Sequence, residues 1–408
     1  MLAVARPVDV LTPVDPWIIG RAVFHGHLPY RSFPFEYPPL AVAAFVLPAL
    51  VPHGAAHLVL ALQAVALELV VVAMLARWAR PGTLRRYGML SLLLFPLLAG
   101  GFDGVPMVAL TAGTALVAAG SVGGWWVVAA GAAAKLSPGL IWVWGPWAPP
   151  PAVPAGRARS GSPARRRLLT AALALAVTGV VLLSPVALAR HRDDDWLTYN
   201  LDRGVEVESM AASTAWLVHS AEGHPVRFPY RFRAVEIDHG AGAALVWEVL
   251  GALGLVAVAL RARRAEPWLA ALVTVDVFLM ASKVFSPQYL VWAAPLAAVV
   301  GGELFVWHLV AAGLTVAVYA LPLSHTGMLA LTAVRNVVVL GAAHTRYWGL
   351  KTLVARRNTS TVARASAHGS APPPRRARPA TSSRPSAPST SHTTASAAAW
   401  SISTARKR

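Results

Sequence analysis

Long apolar runs follow one another along most of this chain, and they constrain its fold more than any other feature. A helix needs about 20 mostly apolar residues to cross the hydrocarbon core of a membrane. Inside lipid each segment must satisfy its own backbone hydrogen bonds, so runs of this kind are predicted to be helices. The candidate spans are 38–53, 55–77, 87–101, 104–122, 124–147, 168–189, 241–260, 267–285, 287–300, 303–322 and 328–347.

These runs predict an all-α, polytopic transmembrane helical bundle with about nine to eleven spans. The composition agrees, since 56% of the residues are hydrophobic and 13% are charged, whereas soluble domains carry about 25% charged residues. The chain has no cysteine, which excludes disulfides, thiol catalysis and zinc-thiolate sites. No Walker loop, dinucleotide fingerprint or HExxH motif is present, so ATPase and metalloprotease functions have no support.

The formal charge of +18 raises the question of nucleic-acid binding, but its distribution argues against it. Residues 351–408 hold eleven of the lysines and arginines and no acid. Further arginines cluster in short connections at 77–86, 157–167 and 261–264, the pattern of the positive-inside rule. We therefore expect membrane lipid, and no nucleic acid, as the neighbour of this chain.

The same clusters predict a multi-pass plasma-membrane protein of three parts. These are an external N-terminal loop at 1–37, a transmembrane domain at 38–350 with a long external loop at 190–240, and a disordered, cytoplasmic tail at 351–408. Counting spans backward from the arginines at 165–167 puts those at 80–86 outside. The sequence resolves this conflict only if 38–53, or part of 124–147, is re-entrant or lies along the surface.

Polar groups inside or beside apolar runs are the candidates for chemistry, because burial in a membrane makes them costly. In the N-terminal loop these are Asp9, Asp15, Tyr30, Glu36 and Tyr37. A carboxylate there can accept a proton from a sugar hydroxyl or bind a divalent cation. A solvated loop before a helix started by proline is the simpler interpretation.

Two further candidates lie at the ends of apolar runs. Asp103 stands in a glycine-rich turn, where an aspartate is most often a helix N-cap. Lys135 is well inside its run, so it either extends its ammonium to water or meets a cavity or an anionic partner.

The last candidates occupy two polar segments. Arg203 and Glu208 belong to the long loop, where a charged surface is the simpler interpretation. Lys283, Ser286, Gln288 and Tyr289 lie between two apolar runs, interrupted by a proline. A broken helix beside a cation is suited to a phosphate group, and a plain turn is the alternative.

Taken in order, these segments resemble the actinobacterial membrane glycosyltransferases of the DUF2029 type. Those enzymes are similar to the polyprenyl-phosphate-mannose-dependent alpha-mannosyltransferases of the GT-C superfamily. The resemblance covers about residues 9–350. The matching strings are Pro29-Tyr30, Glu36-Tyr37-Pro38-Pro39-Leu40, Asp103, Lys135-Leu136-Ser137-Pro138, Asp202-Arg203-Gly204, Glu208-Ser209 and the run from Lys283 to Trp292.

The resemblance implies a GT-C-like fold and a hexosyltransferase that moves a sugar, mannose by analogy, from a polyprenyl phosphate to a cell-envelope glycan or glycolipid. It implies that Asp9, or else Asp15, is the catalytic carboxylate, that Lys283 or Lys135 meets the donor phosphate, and that the other candidates bind substrate. It names no certain cofactor and is compatible with a divalent cation. In the family a membrane helix precedes the catalytic aspartate. Residues 1–8 cannot form one, so we expect an upstream start or a shortened chain.

Two other functions fit the same pattern of spans. A transporter or flippase for a lipid-linked sugar precursor would be expected to show symmetry between its halves, and the sequence shows none. An inactive membrane partner of an envelope-synthesis complex would need no catalytic aspartate.

Overall fold

The computed structural model describes residues 16–79, 81–148, 163–189, 195–232, 234–321 and 326–341, and these are mostly helical. The α-helices are α1 Pro16–Phe24, α2 Val42–Ala49, α3 His53–Trp78, α4 Thr83–Ala99, α5 Gly104–Ala118, α6 Gly123–Ala134, α7 Ile141–Trp144, α8 Pro163–Leu188, α9 Trp196–Asp202, α10 Met210–Ala221, α11 Ala241–Arg261, α12 Pro267–Ala281, α13 Leu290–Val300, α14 Gly302–Ala320 and α15 Thr326–Gly341. Short 3-10 turns occupy Pro39–Ala41, Ser137–Leu140, Gly145–Trp147 and Pro287–Tyr289. The predicted tail lies outside the described residues.

Four helices are long and apolar enough to cross a membrane: α3, α8, α11 and α14. Their outer faces carry large exposed aliphatic side chains, for example Val180 and Leu183 on α8 and Leu253 on α11, which are exposed by 72%, 58% and 62%. Such surface is unfavourable in water and favourable in lipid. Six shorter apolar helices accompany them within the described part of the chain, at 39–49, 104–118, 123–134, 267–281, 287–300 and 326–341.

The predicted span 124–147 is not a continuous helix. Helix α6 ends at Lys135, whose backbone is extended, and the chain turns back through Ser137–Leu140. The two arms of this fold-back lie close together because glycines stand at their points of contact. A Cβ atom on Gly131 would lie 2.9 Å from Pro138, and one on Gly145 would lie 2.8 Å from Trp125. Segment 124–147 therefore begins and ends on the same face of the bundle.

The arginine clusters of the sequence meet on that face. Arg86 donates to the carbonyl of Ala298 at the end of α13 (2.7 Å), and Arg167 donates to the carbonyl of Gly145. Arg263 lies 5.7 Å above the ring of Trp147. Since α12 and α13 form a hairpin that turns at 282–289, the start of α12 and the end of α13 also lie on this basic face.

The segment predicted as a long external loop is a small folded lobe, not merely a charged surface. Strands β1 Val205–Glu206, β2 Tyr230–Arg231 and β3 Ala234–Ile237 form an antiparallel sheet in the order β1-β3-β2, and α10 packs on it. Asp195 begins the lobe by accepting hydrogen bonds from the amides of Leu197 and Thr198, the second and third residues of α9, and Ser209 caps α10 by accepting from the amide of Ala212. Capping of this kind fixes where each helix starts.

The predicted N-terminal loop also contains a helix, so the prediction of a loop is wrong for 16–24. Helix α1 begins at Pro16 and packs closely on α2, where a Cβ atom on Gly20 would clash with the backbone of Phe45. Trp17 donates its indole N–H to the carbonyl of Val51 (2.8 Å). Apolar burial against α2 gives this short segment the stability that isolated helices lack.

Candidate functional site

A cavity of about 890 Å³ lies on the face opposite the arginine clusters, between the bundle and the lobe. Most of the candidate residues from the sequence line it, namely Glu36, Tyr37, Lys135, Arg203, Glu208, Lys283, Ser286, Gln288 and Tyr289. They come from separate parts of the chain that are distant in sequence. The cavity has the size of a small-molecule site, in which a few polar groups are placed on a largely apolar wall.

Asp103 and Lys135 form an ion pair at one edge of this cavity. The ammonium lies 2.7 Å from Asp103 Oδ1, and the indole of Trp292 donates to the same oxygen at 2.8 Å. Asp103 occupies the N-cap position of α5, as the sequence predicts, but its side chain makes no capping hydrogen bond and pairs with Lys135 instead. Lys135 lies deep in an apolar run, where an unpaired charge is costly, and Asp103 is the anionic partner that balances it.

Aromatic rings surround the ammonium of Lys135. The ring centroids lie at 4.5 Å for Tyr289, 5.0 Å for Trp292, 5.1 Å for Phe102 and 6.0 Å for Tyr37. A cation over aromatic faces is attracted by their quadrupoles, and more strongly when water is excluded. This arrangement holds Lys135 in place, and its charge is already balanced by Asp103.

The segment 282–289 lines the cavity and contacts the lobe. The backbone carbonyl of Lys283 accepts a hydrogen bond from the amide of Glu206 (2.9 Å). The ammonium of Lys283 donates to the carbonyl of Leu201 at 2.9 Å. Among the described residues no carboxylate lies within ion-pair distance of Lys283.

Glu206 connects the lobe to the same segment. Ser286 donates its hydroxyl to both carboxylate oxygens, at 2.9 and 3.2 Å, and Arg203 lies 3.7 Å away. Burial raises the pKa of Glu206, and Arg203 and Ser286 lower it only in part. Glu236 stabilises the turn between Arg203 and Glu206 by accepting a hydrogen bond from the amide of Gly204 (2.8 Å).

Glu208 stands beside a charged residue that comes from α15. Arg335 is fully buried, donates to the backbone carbonyl of Glu208 at 2.6 Å, and lies 3.9 Å from its carboxylate. Asn336 donates to the same carbonyl at 3.1 Å. Burial raises the pKa of Glu208 well above its ordinary value, an effect that Arg335 opposes and Glu206 reinforces.

The other end of the cavity is mostly apolar and carries one carboxylate, Glu248 on α11. It is lined by the inner faces of α11 and α12 and by the ends of α14 and α15, through Gly251, Ala252, Leu255, Phe278, Ala281, Val318, Leu321 and Met328. The opposite face of α11 is exposed, with Leu245, Val249 and Leu253 outward. The cavity therefore joins a charged end near the lobe to a mostly apolar end beside a helix whose surface suits lipid.

Not every predicted residue reaches the cavity. Tyr30 is buried behind it and donates its hydroxyl to the carbonyl of Tyr37. Asp103 acts through Lys135. Asp9 and Asp15 lie outside the described residues, so their role stays a prediction.

Several residues of the site are missed by the sequence analysis. In the sequence Glu206 is one of several acids in a charged loop, which gives it no distinct role. Its hydrogen-bond partner, Ser286, comes from a Ser-Pro segment far away in the chain. Arg335 and Asn336 interrupt the apolar run 328–347, and the sequence pattern alone assigns them no function. An arginine within an apolar run of a membrane protein is by itself a sign of function. This rule would have marked Arg335 as a candidate site residue.

No protein-family model, no curated protein and no solved structure matches the chain.

Proposed function

We propose that this chain is a multi-pass membrane glycosyltransferase, GT-C-like in fold, that transfers a hexose from a polyprenyl phosphate to a cell-envelope glycan or glycolipid. The observation that best supports this is the cavity. It combines a charged end, lined by residues from distant segments, with a mostly apolar end beside a helix whose outer face suits lipid. A polyprenyl-phosphate sugar has the same division into a charged head and an apolar chain.

Lys283 binds the donor phosphate together with Arg203, which lines the same cavity. Lys283 has only a carbonyl partner among the described residues, whereas Lys135 is neutralised by Asp103. Arg203 keeps one buried guanidinium nitrogen, Nε, without a hydrogen bond. A guanidinium and an ammonium in a site of low dielectric stabilise the charge that develops on a departing phosphate.

The reaction is a direct displacement at the anomeric carbon. The acceptor hydroxyl oxygen forms the new glycosidic bond while the bond to the phosphate oxygen breaks, and polyprenyl phosphate leaves with that electron pair. A carboxylate takes the hydroxyl proton, and the anomeric centre is inverted. The resemblance assigns this proton to Asp9 or Asp15, and Glu36 is a further carboxylate that lines the cavity. A base of this kind contributes about 10²–10⁴-fold.

Sugar transfer from radiolabelled polyprenyl-phosphate-mannose, in membranes that overexpress the chain, tests the proposal. We expect labelled glycan or glycolipid with the intact chain and a large loss with Lys283→Ala. Arg31→Ala changes an exposed cation outside the cavity and serves as the control. Movement of the labelled donor across the membrane without transfer would instead identify a flippase.

A further inference from the structure

A second cluster of ionisable side chains lies at the far end of α10, away from the cavity. The ligand atoms of His219, Glu222 and His224 are all within 4.8 Å of one another. Nδ1 of His224 is 3.2 Å from Glu222 Oε2, and Nδ1 of His219 is 3.8 Å from the same oxygen. Their surroundings are partly open to solvent, since the Glu222 side chain is 52% exposed.

The backbone brings these side chains together. Gly223 has φ +72°, a left-handed conformation that ends α10 and reverses the chain. The reversal is closed by a hydrogen bond from the amide of His224 to the carbonyl of His219 (2.9 Å). A helix that simply continued would carry residue 224 away from residue 219, so the cluster depends on this turn.

We propose that His219, Glu222 and His224 form a binding site for a divalent metal ion of the zinc type. Two imidazoles and a carboxylate are a ligand set that Zn²⁺ uses, with a fourth position left to water. The C-terminal end of a helix also attracts a cation, because the unpaired carbonyls there carry partial negative charge. The site takes a transition metal rather than Mg²⁺, since imidazole is a poor ligand for Mg²⁺.

The location suggests what the metal does. Helix α10 has 12 residues and so is about 18 Å long. Its other end begins at Ser209, next to the Glu208 carbonyl that Arg335 and Asn336 hold. His239, in the turn that follows β3, places its ring 6.0 Å from His219. A metal at this position stabilises the outer end of α10 and, through the helix, the wall of the cavity.

Isothermal titration of the full, chelator-treated protein with ZnCl2, after removal of any affinity tag, tests this site. We expect one Zn²⁺ per chain and no comparable heat with MgCl2. His224→Ala and Glu222→Gln alter exposed side chains, so both variants should fold normally. Each should weaken zinc binding by at least about a hundredfold, since even indirect partners of a metal contribute 10–100-fold.

His57→Ala is the matched control, because His57 is an exposed histidine on α3 outside the cluster, and it should leave the affinity unchanged. Absence of binding by the intact protein at micromolar zinc overturns the proposal. Binding that is equally strong in His224→Ala, Glu222→Gln and the intact protein also overturns it, because the metal would then be held elsewhere.

Discussion

At the scale of single residues, the cations near the cavity differ in whether their charge is balanced. Lys135 is balanced by Asp103 and enclosed by aromatic rings, whereas Lys283 has only a backbone carbonyl among its described neighbours. The same residue type therefore serves two purposes around one cavity. We assign Lys135 to holding the site together and Lys283 to holding a ligand.

Lys135→Met should destabilise the protein strongly, because it leaves the carboxylate of Asp103, 3% exposed, without its counter-ion. Removing one partner of a buried ion pair typically costs about 3–5 kcal/mol. Thermal unfolding of the protein in detergent measures the effect.

Asp103→Asn should cost less, since an amide oxygen can still accept from Trp292 and the stranded ammonium of Lys135 can reach water in the cavity. The double variant should recover part of the loss of Lys135→Met. Equal destabilisation by both single variants, with no recovery, would show that the ion pair is not what holds this edge of the site.

Asp9→Asn should abolish most sugar transfer while leaving insertion and folding intact. The amide keeps the size of the side chain but cannot take the hydroxyl proton, so a loss of about 10²–10⁴-fold is expected. Transfer in membranes and the yield of inserted protein are measured together. Asp15→Asn is the companion variant. Full activity in both would mean that the N-terminal loop is not the catalytic loop.

The carboxyl group of Glu208 makes stability depend on pH. Burial raises its pKa well above the ordinary 4.5, so the folded state holds the proton more tightly than the unfolded state. The resulting stabilisation is fully present below pH 4.5 and is lost as the pH rises through the folded-state pKa. Glu208→Gln does not titrate, so its unfolding temperature should fall less than that of the intact protein as the pH rises above 4.5. Parallel curves for the two proteins would contradict the assignment.

At the scale of elements, the sequence predicts that apolar runs are helices but not where a run turns back. Lys135 is unusual for a residue inside an apolar run. The contacts that explain its position come from distant parts of the chain: Asp103, 32 residues before it, and Trp292 on another helix. The small residues that let the two arms of 124–147 approach, such as Gly131, are equally common in straight membrane helices. Periodicity alone therefore could not separate a hairpin from a span.

A pair of buried side chains connects α12 to α14. Nε2 of His308 lies 3.0 Å from Asp276 Oδ1, and Nδ1 lies 2.8 Å from the carbonyl of Leu304. Both residues are almost fully buried. The imidazole therefore bridges Asp276 on α12 and the backbone of its own helix.

Asp276→Ala should therefore destabilise the packing of α12 against α14 by about 1–3 kcal/mol, the cost of leaving a buried polar group without its partner. Thermal unfolding in detergent is the measurement. Thr315→Val is the control on α14, because the Thr315 hydroxyl bonds the Ala311 carbonyl of its own helix (2.8 Å). A loss in the control as large as in Asp276→Ala would contradict a cross-helix role.

At the scale of the whole molecule, the fold-back of 124–147 removes the conflict found in counting spans. With a single span there, the arginines at 80–86 fall on the opposite side from those at 165–167. With a segment that begins and ends on one face, Arg86, Arg167 and Arg263 lie together, as their contacts indicate. The positive-inside rule then predicts that this face is cytoplasmic and that the cavity and lobe are outside.

Labelling of single cysteines in intact cells tests this orientation, and the chain suits it because it has no cysteine of its own. Ser220→Cys lies on the exposed end of α10 in the lobe and should react with a membrane-impermeant maleimide. Arg264→Cys lies on the exposed basic face and should react only after the membrane is permeabilised, because that face is predicted to be cytoplasmic. Ser383→Cys should behave like Arg264→Cys if the tail is cytoplasmic. The opposite pattern would invert the orientation. It would also place the cavity in the cytoplasm, where the proposed transfer to an envelope glycan could not occur.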